Sequence, residues 1–166
     1  MALLLRSAAL ALVACVVFGS PALAQLPNPY GAPITTEVAK KAAAAALAEA
    51  RKNGWTIYAT VVDVGGAIAY VERIDGVQYG SAEVSLEKAR TAVAFKRPSK
   101  AFEDAVLSGK VQYVKLPGGL PVEGGVPLVA DGKIVGAIGV SGVTSAQDGQ
   151  CARAGAEAVS PPPAAK

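Results

Sequence analysis

The chain has 166 residues, a formal net charge of +3, a sequence pI near 8.9 and a mean hydropathy of +0.37, enough for one domain with a buried core. The basic excess is small, Lys and Arg do not cluster, and aromatic residues make up 5% of the chain, so the charge and stacking footprint of a nucleic-acid binder is absent. Histidine is missing altogether, which removes the commonest general base and the commonest metal ligand together.

The first 25 residues read as a secretory signal: Arg6 precedes an apolar run from Ala8 to Phe18, Gly19-Ser20-Pro21 break it, and Ala22-Leu23-Ala24 offers a small-x-small cleavage site. The apolar run is too short to span a bilayer. Leu12-Val13-Ala14-Cys15 resembles a lipobox, which would leave Cys15 lipidated. Against that, Val16-Val17-Phe18 continue the apolar core past the cysteine. The expectation is a soluble exported protein, periplasmic or secreted: signal peptide 1–24, irregular arm 25–34, one domain over 35–159, and a disordered Ser-Pro-rich tail over 160–166. Once Cys15 is removed, Cys151 stands alone on an alanine-rich stretch and is expected to be a buried small hydrophobe.

Thr35-Thr36-Glu37 supplies a helix start, with a hydroxyl cap and an acid at the positive end of the dipole. Strong helix formers follow to Lys52, and Asn53-Gly54 end the helix. Thr56 to Val64 is β-branched and apolar, Gly65-Gly66 make a hairpin turn, and Ala67 to Ile74 is the returning strand, with Tyr70 and Glu72 on one face. Asp63, Arg73 and Asp75 fall near the strand ends. They read either as turn chemistry with a local ion pair or, for Arg73, as a fork for an anionic ligand group. A second helix is expected over Ser81 to Lys96, with Ala82, Leu86, Ala89 and Val93 on its core face, Lys88 and Thr91 at the edge of that face, and Glu83, Glu87 and Arg90 wet. Pro98 closes it, Ser99 caps a short third helix that ends at Gly109, and Lys110 to Leu116 reads as a strand or extended edge.

Leu116 to Gly142 holds eight of the chain's 18 glycines. It reads as a glycine-rich loop feeding two strands, Val126 to Ala130 and Lys133 to Ser141, joined at Asp131-Gly132, a turn pair that tolerates positive φ at both positions. Gly136, Gly139 and Gly142 weaken a strand unless something comes close to its backbone. A packed helix and a bound ligand both answer that description. A last helix of small residues runs from Thr144 to Val159. Hairpin joins imply an antiparallel sheet with helices on its faces, one α+β domain.

Several catalytic patterns fail. Ser141 lies among glycines but lacks the second glycine of a nucleophile elbow and has no histidine base. The glycine spacing matches neither a dinucleotide fingerprint nor a P-loop. Carboxylates do not cluster like a calcium loop, and one cysteine makes no zinc site.

Three stretches together resemble the GlcG/HbpS-like family: VVDVGGAIAYVERIDG (residues 61–76), EKARTAVAFKRPS (87–99), and the run from LPGGLPV to VPLVADGKIVGAIGVSG followed by QDGQCARAG. They stand in the family's order and cover about residues 35 to 159. The resemblance implies a profilin-like antiparallel β-sheet flanked by α-helices, assembly into homo-oligomers, and haem as the cofactor of one exported subfamily. Family haem binding leans on histidine, absent here. The resemblance therefore leaves axial ligation to Tyr30, Tyr58, Tyr70, Tyr79, Tyr113 or Cys151, or an unligated haem with its propionates on Arg73, Arg90 or Lys96. Three functions follow: an exported haem- or tetrapyrrole-binding module, a binding protein for another small anionic ligand, and a cofactor-free enzyme using Lys88 or a Tyr–Asp pair. The pocket is expected around Arg73, Lys88, Thr91, Gly118, Gly119 and Ser141, with no catalytic residue assigned, no nucleic-acid partner and no membrane span.

Overall fold

The computed structural model describes residues 28–159; the signal, lipobox and C-terminal tail readings lie outside them. The elements in chain order are α1 (Thr36–Lys52), β1 (Tyr58–Asp63), β2 (Ile68–Arg73), α2 (Ser81–Ala94), α3 (Lys100–Leu107), the 3-10 turn Val111–Lys115, β3 (Gly125–Ala130), β4 (Lys133–Ser141) and α4 (Ser145–Val159). The four strands form one sheet in the order β2-β1-β4-β3, antiparallel throughout. The α+β class and the helix-flanked antiparallel sheet are as the sequence implies.

Both predicted hairpin turns form for the stated reasons. Asp131 and Gly132 have φ of 49° and 72°, the paired positive values that a two-residue turn matching strand twist requires. At the β1–β2 turn Gly66 has φ +82°, and the Asp63 carboxylate accepts the amide N–H groups of Gly65 at 2.8 Å and Ala67 at 3.0 Å. Asp63 is thus turn chemistry, and Arg73 leans on Tyr58, donating to its hydroxyl at 3.4 Å.

The sheet separates two apolar layers. On one side α1 and α4 pack through alanines and small residues (Ala42, Ala46, Cys151, Ala152) against Ala59, Val61, Ile138 and Val140. A Cβ at Gly155 would stand 2.8 Å from the Ala42 carbonyl oxygen, so the helices cross almost backbone to backbone. On the other side α2 packs through Ala89, Ala92 and Val93 on Val62, Ile134 and Ala137.

Three local expectations are corrected. Ala89 and Val93 of α2 are buried as expected, but Ser81, Ser85, Lys88, Thr91 and Ala92 are buried with them, while Ala82 is exposed. The reason lies in the sheet: a Cβ at Gly139 would lie 1.9 Å from the Ser85 carbonyl oxygen, and one at Gly125 2.1 Å from that of Lys88. The helix therefore rests its backbone on a glycine floor, and small polar side chains fit where larger ones would not. Ser99 does not cap α3 with its side chain; its hydroxyl accepts the Gly125 N–H at 2.9 Å and donates to the Val122 carbonyl at 2.6 Å, tying the loop to β3. Residues 111–115 form a 3-10 turn in place of an edge strand, because Tyr113 packs on Phe102, which in turn packs on Phe95, with centroid separations of 5.7 and 5.2 Å. Among the described residues no helix is long and apolar enough to cross a membrane.

Candidate ligand site

Among the described residues, a groove of about 390 Å3 lies where three elements meet. Val64, Gly65 and Gly66 of the β1–β2 turn form one wall, Glu87, Arg90, Val93 and Ala94 of α2 the other, and Gly118 of the glycine-rich loop closes one end. Glycines on two sides keep it open, since Gly66 and Gly118 (φ +65°) hold left-handed backbone that side chains rarely adopt.

Arg90 is the chemical feature of the groove. Its Nε–H donates to the Gly66 carbonyl at 3.2 Å, and Nη1 donates to Glu87 at 3.2 Å. Those two bonds fix the plane of the guanidinium, and its Nη2 amino group has no hydrogen-bond partner among the described residues, the geometry that suits a carboxylate or phosphate. The side chain is 43% exposed, so an arriving anion meets a charge already oriented and only partly hydrated.

Two groups behind the walls set their shape. Thr91, fully buried, donates its hydroxyl proton to the Glu87 carbonyl at 2.7 Å and accepts the Leu120 N–H at 2.8 Å. This pins the glycine-rich loop onto α2 and so sets where Gly118 lies. At the far wall the Tyr30 hydroxyl donates to the Val93 carbonyl at 2.7 Å, and Lys96 Nζ sits 4.2 Å from the Tyr30 ring centroid. The arm around Tyr30 runs beside β4, bonding through Gly31 N–H to the Ile134 carbonyl at 2.8 Å.

The other predicted residues lie elsewhere. Lys88 is sealed in the interior, 1% exposed. Its ammonium donates to Asp148 Oδ2 at 2.8 Å and to the Val140 carbonyl at 3.2 Å, and Asp148 Oδ1 accepts the Val143 N–H at 3.2 Å. Burial pushes the Asp148 carboxyl above its ordinary range, against the opposing pull of Lys88 and the amides. Ser141 is buried and donates to Ser81 at 3.2 Å. Gly119 turns over Leu116, whose side chain fills the space a Cβ would need. Arg73 ends β2 opposite Tyr58, at the end of the hairpin away from the Gly65–Gly66 turn, with its guanidinium 5.8 Å from the Tyr58 ring centroid. Of the six, only Gly118 lines the groove and Thr91 supports it. Glu87 and Asp148 escape the sequence reading, Glu87 because it looks like an ordinary wet residue and Asp148 because its partner stands 60 residues away.

A smaller cleft of about 140 Å3 lies between Pro98, Gly124–Val126, Gly149 and the side chains of Lys100, Glu123 and Arg153. Its charges are internally matched: Arg153 donates to Glu123 at 2.7 Å and Lys100 to Asp104 at 2.6 Å. Among the described residues no group of three or more Cys, Asp or Glu side chains is arranged to hold a metal ion.

The family model described as haem-degrading protein HbpS-like matches residues 34–157. The Escherichia coli K12 protein GlcG is 41% identical over 108 residues, covering 65% of this chain and 81% of GlcG. A crystal structure of a double mutant of HbpS from Streptomyces reticuli superimposes with a TM-score of 0.70 at 33% identity, covering 91% of this chain and 97% of that one. The crystal structure of a PduOC–haem complex shares the fold, with a TM-score of 0.69 at 24% identity, covering 77% of this chain and 96% of that one.

Proposed function

The chain belongs to the HbpS-like family, and from that premise we propose that it is a small-molecule-binding module of the haem-related class, holding a carboxylate-bearing ligand in the groove beneath Arg90. The observation that carries this reading is the Arg90 guanidinium, held in plane by Glu87 and Gly66 at the lip of a cavity with apolar and glycine walls. Few polar groups placed on a mainly apolar cleft are what fix a ligand's orientation. The test is an absorbance titration of the purified chain with haemin against albumin and buffer controls. A saturating one-to-one change is expected, and Arg90→Ala weakens it about tenfold or more, the loss of a charge-assisted hydrogen bond. A linear, non-saturating response overturns the reading.

One observation favours a second occupant of the same groove. At about 390 Å3 it stands near the low end of small-molecule sites, which suits a compact anion. That alternative predicts thermal stabilisation by small carboxylates or phosphates, with haemin inert.

The module works outside the cytoplasm, its mature form beginning at Gln25, and self-associates. The support is the signal-like Met1–Ala24 sequence and the unpaired edge of β2, where Ile68 and Val71 are exposed. Mass spectrometry of the exported protein and light scattering in solution check these two points.

A further inference from the structure

Iron coordination by the protein asks for an imidazole, thiolate, thioether or phenolate facing the cavity, and no residue lining the groove carries any of these. The chain has no histidine, and its sole methionine, Met1, is outside the described residues.

Among the described residues, the remaining donors are committed or elsewhere. Tyr30 holds its hydroxyl against the Val93 carbonyl. Tyr58 accepts from Arg73 at the end of the β1–β2 hairpin away from the turn that walls the groove. Tyr70 donates to Glu72 at 2.9 Å, and that bond pushes its phenol above the ordinary value, away from the phenolate a ligand must be. Tyr113 is packed on Phe102. Cys151 lies in the α1–α4 layer with the sheet between it and α2, and burial pushes its thiol up to about 12, so it offers no thiolate at neutral pH. Tyr79 is 90% exposed and lines neither cavity. The side chains present therefore suit the carboxylate rim and apolar body of a tetrapyrrole, and they do not suit its metal.

We infer that this chain grips a tetrapyrrole through its carboxylates and ring face alone, without a protein ligand to iron, so that metal-free and iron-loaded rings are equivalent ligands. This rests on the groove being the tetrapyrrole site proposed above. It also assigns selectivity: discrimination falls on the number and placement of carboxylates, which Arg90 reads, and the module accepts a porphyrin before or after metal insertion.

The experiment compares haemin with metal-free protoporphyrin IX on the full purified chain, following quenching of Trp55 fluorescence and the Soret band. Equal dissociation constants within about threefold are expected, since a dative bond worth more than about 0.7 kcal/mol would separate them further. Arg90→Ala weakens both rings alike, while Tyr70→Phe and Tyr79→Phe leave both constants unchanged within about twofold. Arg90→Lys, which keeps the charge, retains part of the affinity and shows that the fold is intact. Haemin binding about thirtyfold tighter than the metal-free ring, with that preference lost in a tyrosine or Cys151→Ala variant, overturns the inference and leaves the tetrapyrrole reading standing. Saturable binding of neither ring removes that reading and the inference with it.

Discussion

Lys88 joins three elements through one ammonium. It leaves α2, passes Gly124 just before β3, and ends on Asp148 of α4 and the Val140 carbonyl of β4. The passage exists because Gly124 has φ +131° and no Cβ: one there would lie 2.6 Å from the Val140 oxygen and 2.9 Å from Lys88 Nζ. Among the described residues no buried side-chain polar atom lacks a partner, and the Lys88 ammonium has two acceptors, Asp148 and the Val140 carbonyl, despite its burial. Such a pair contributes little net stability over an apolar substitute, yet breaking one side leaves an uncompensated charge in the core and costs about 3–5 kcal/mol. Lys88→Met is expected to lower urea stability by that amount at pH 7, and adding Asp148→Leu restores most of it. A single variant within about 1 kcal/mol of the parent would show that the pair is solvated and that Lys88 is free for chemistry. The sequence marks Lys88 as unusual because it falls beside an apolar helix face; what it lacks is the partner, since a contact spanning 60 residues leaves no trace in local spacing.

Glycine placement explains both what could be read from sequence and what could not at the level of the elements. Turns announce themselves locally: Asp131-Gly132 and Gly65-Gly66 carry the backbone freedom that their conformations need, and the hairpins follow. Helix α1 is equally plain, with Thr35 accepting the Val38 N–H at 3.4 Å as the cap. The face of α2 is different. Apolar spacing points to Ala82, Leu86, Ala89 and Val93, of which Ala82 is exposed; the sheet beneath offers Gly139 and Gly125, and a helix that rests on glycines buries backbone and serines as well. Thr60 and Ser85 meet hydroxyl to hydroxyl at 2.7 Å in that interface. Hydropathy cannot register a surface made of missing side chains. Gly139→Ala is expected to push α2 off the sheet and cost about 1–3 kcal/mol or more, as overpacked cores do. It should also widen the groove, because Glu87, Arg90 and Val93 ride on the same helix. Paired urea melts and haemin titrations check this: unchanged stability together with unchanged affinity would mean that the close approach at Ser85 relaxes freely. Arg90 itself was legible as a wet cation, yet its orientation comes from a carbonyl 24 residues away, which only the fold supplies.

For the whole molecule, the most exposed consequence of the thin alanine-and-glycine packing is its response to alkali. Cys151 has no solvent exposure and sits in the layer joining α1, α4 and the sheet. Burial, reinforced by the negative charges of Asp148 and Glu49, raises its thiol from 9.0 to about 12. In the unfolded chain the same thiol ionises at its ordinary value, so between about pH 9 and 12 the folded state binds more protons than the unfolded one. Stability from this source is fully present below pH 9 and is lost as pH rises through that window, at up to about 1.4 kcal/mol per pH unit. Tyr70, raised by its bond to Glu72, acts in the same direction. Cys151→Ala isolates the thiol, because every other group titrates equally in both proteins. At pH 8 the variant is expected to be less stable by about 1 kcal/mol, the loss of one buried sulfur-sized group. Its deficit should then shrink and reverse as urea melts are repeated from pH 9 to 10.5, where the parent must keep a thiol protonated that its unfolded chain would release. Native-state alkylation gives the kinetic counterpart: the thiol should label only through global opening of the α1–α4 layer, so its rate should follow the unfolding equilibrium. Parallel stability curves for parent and variant across that range would instead mean that water reaches Cys151 in the folded protein, and that the small-residue packing of the two helices is looser than their backbone contact at Gly155 implies.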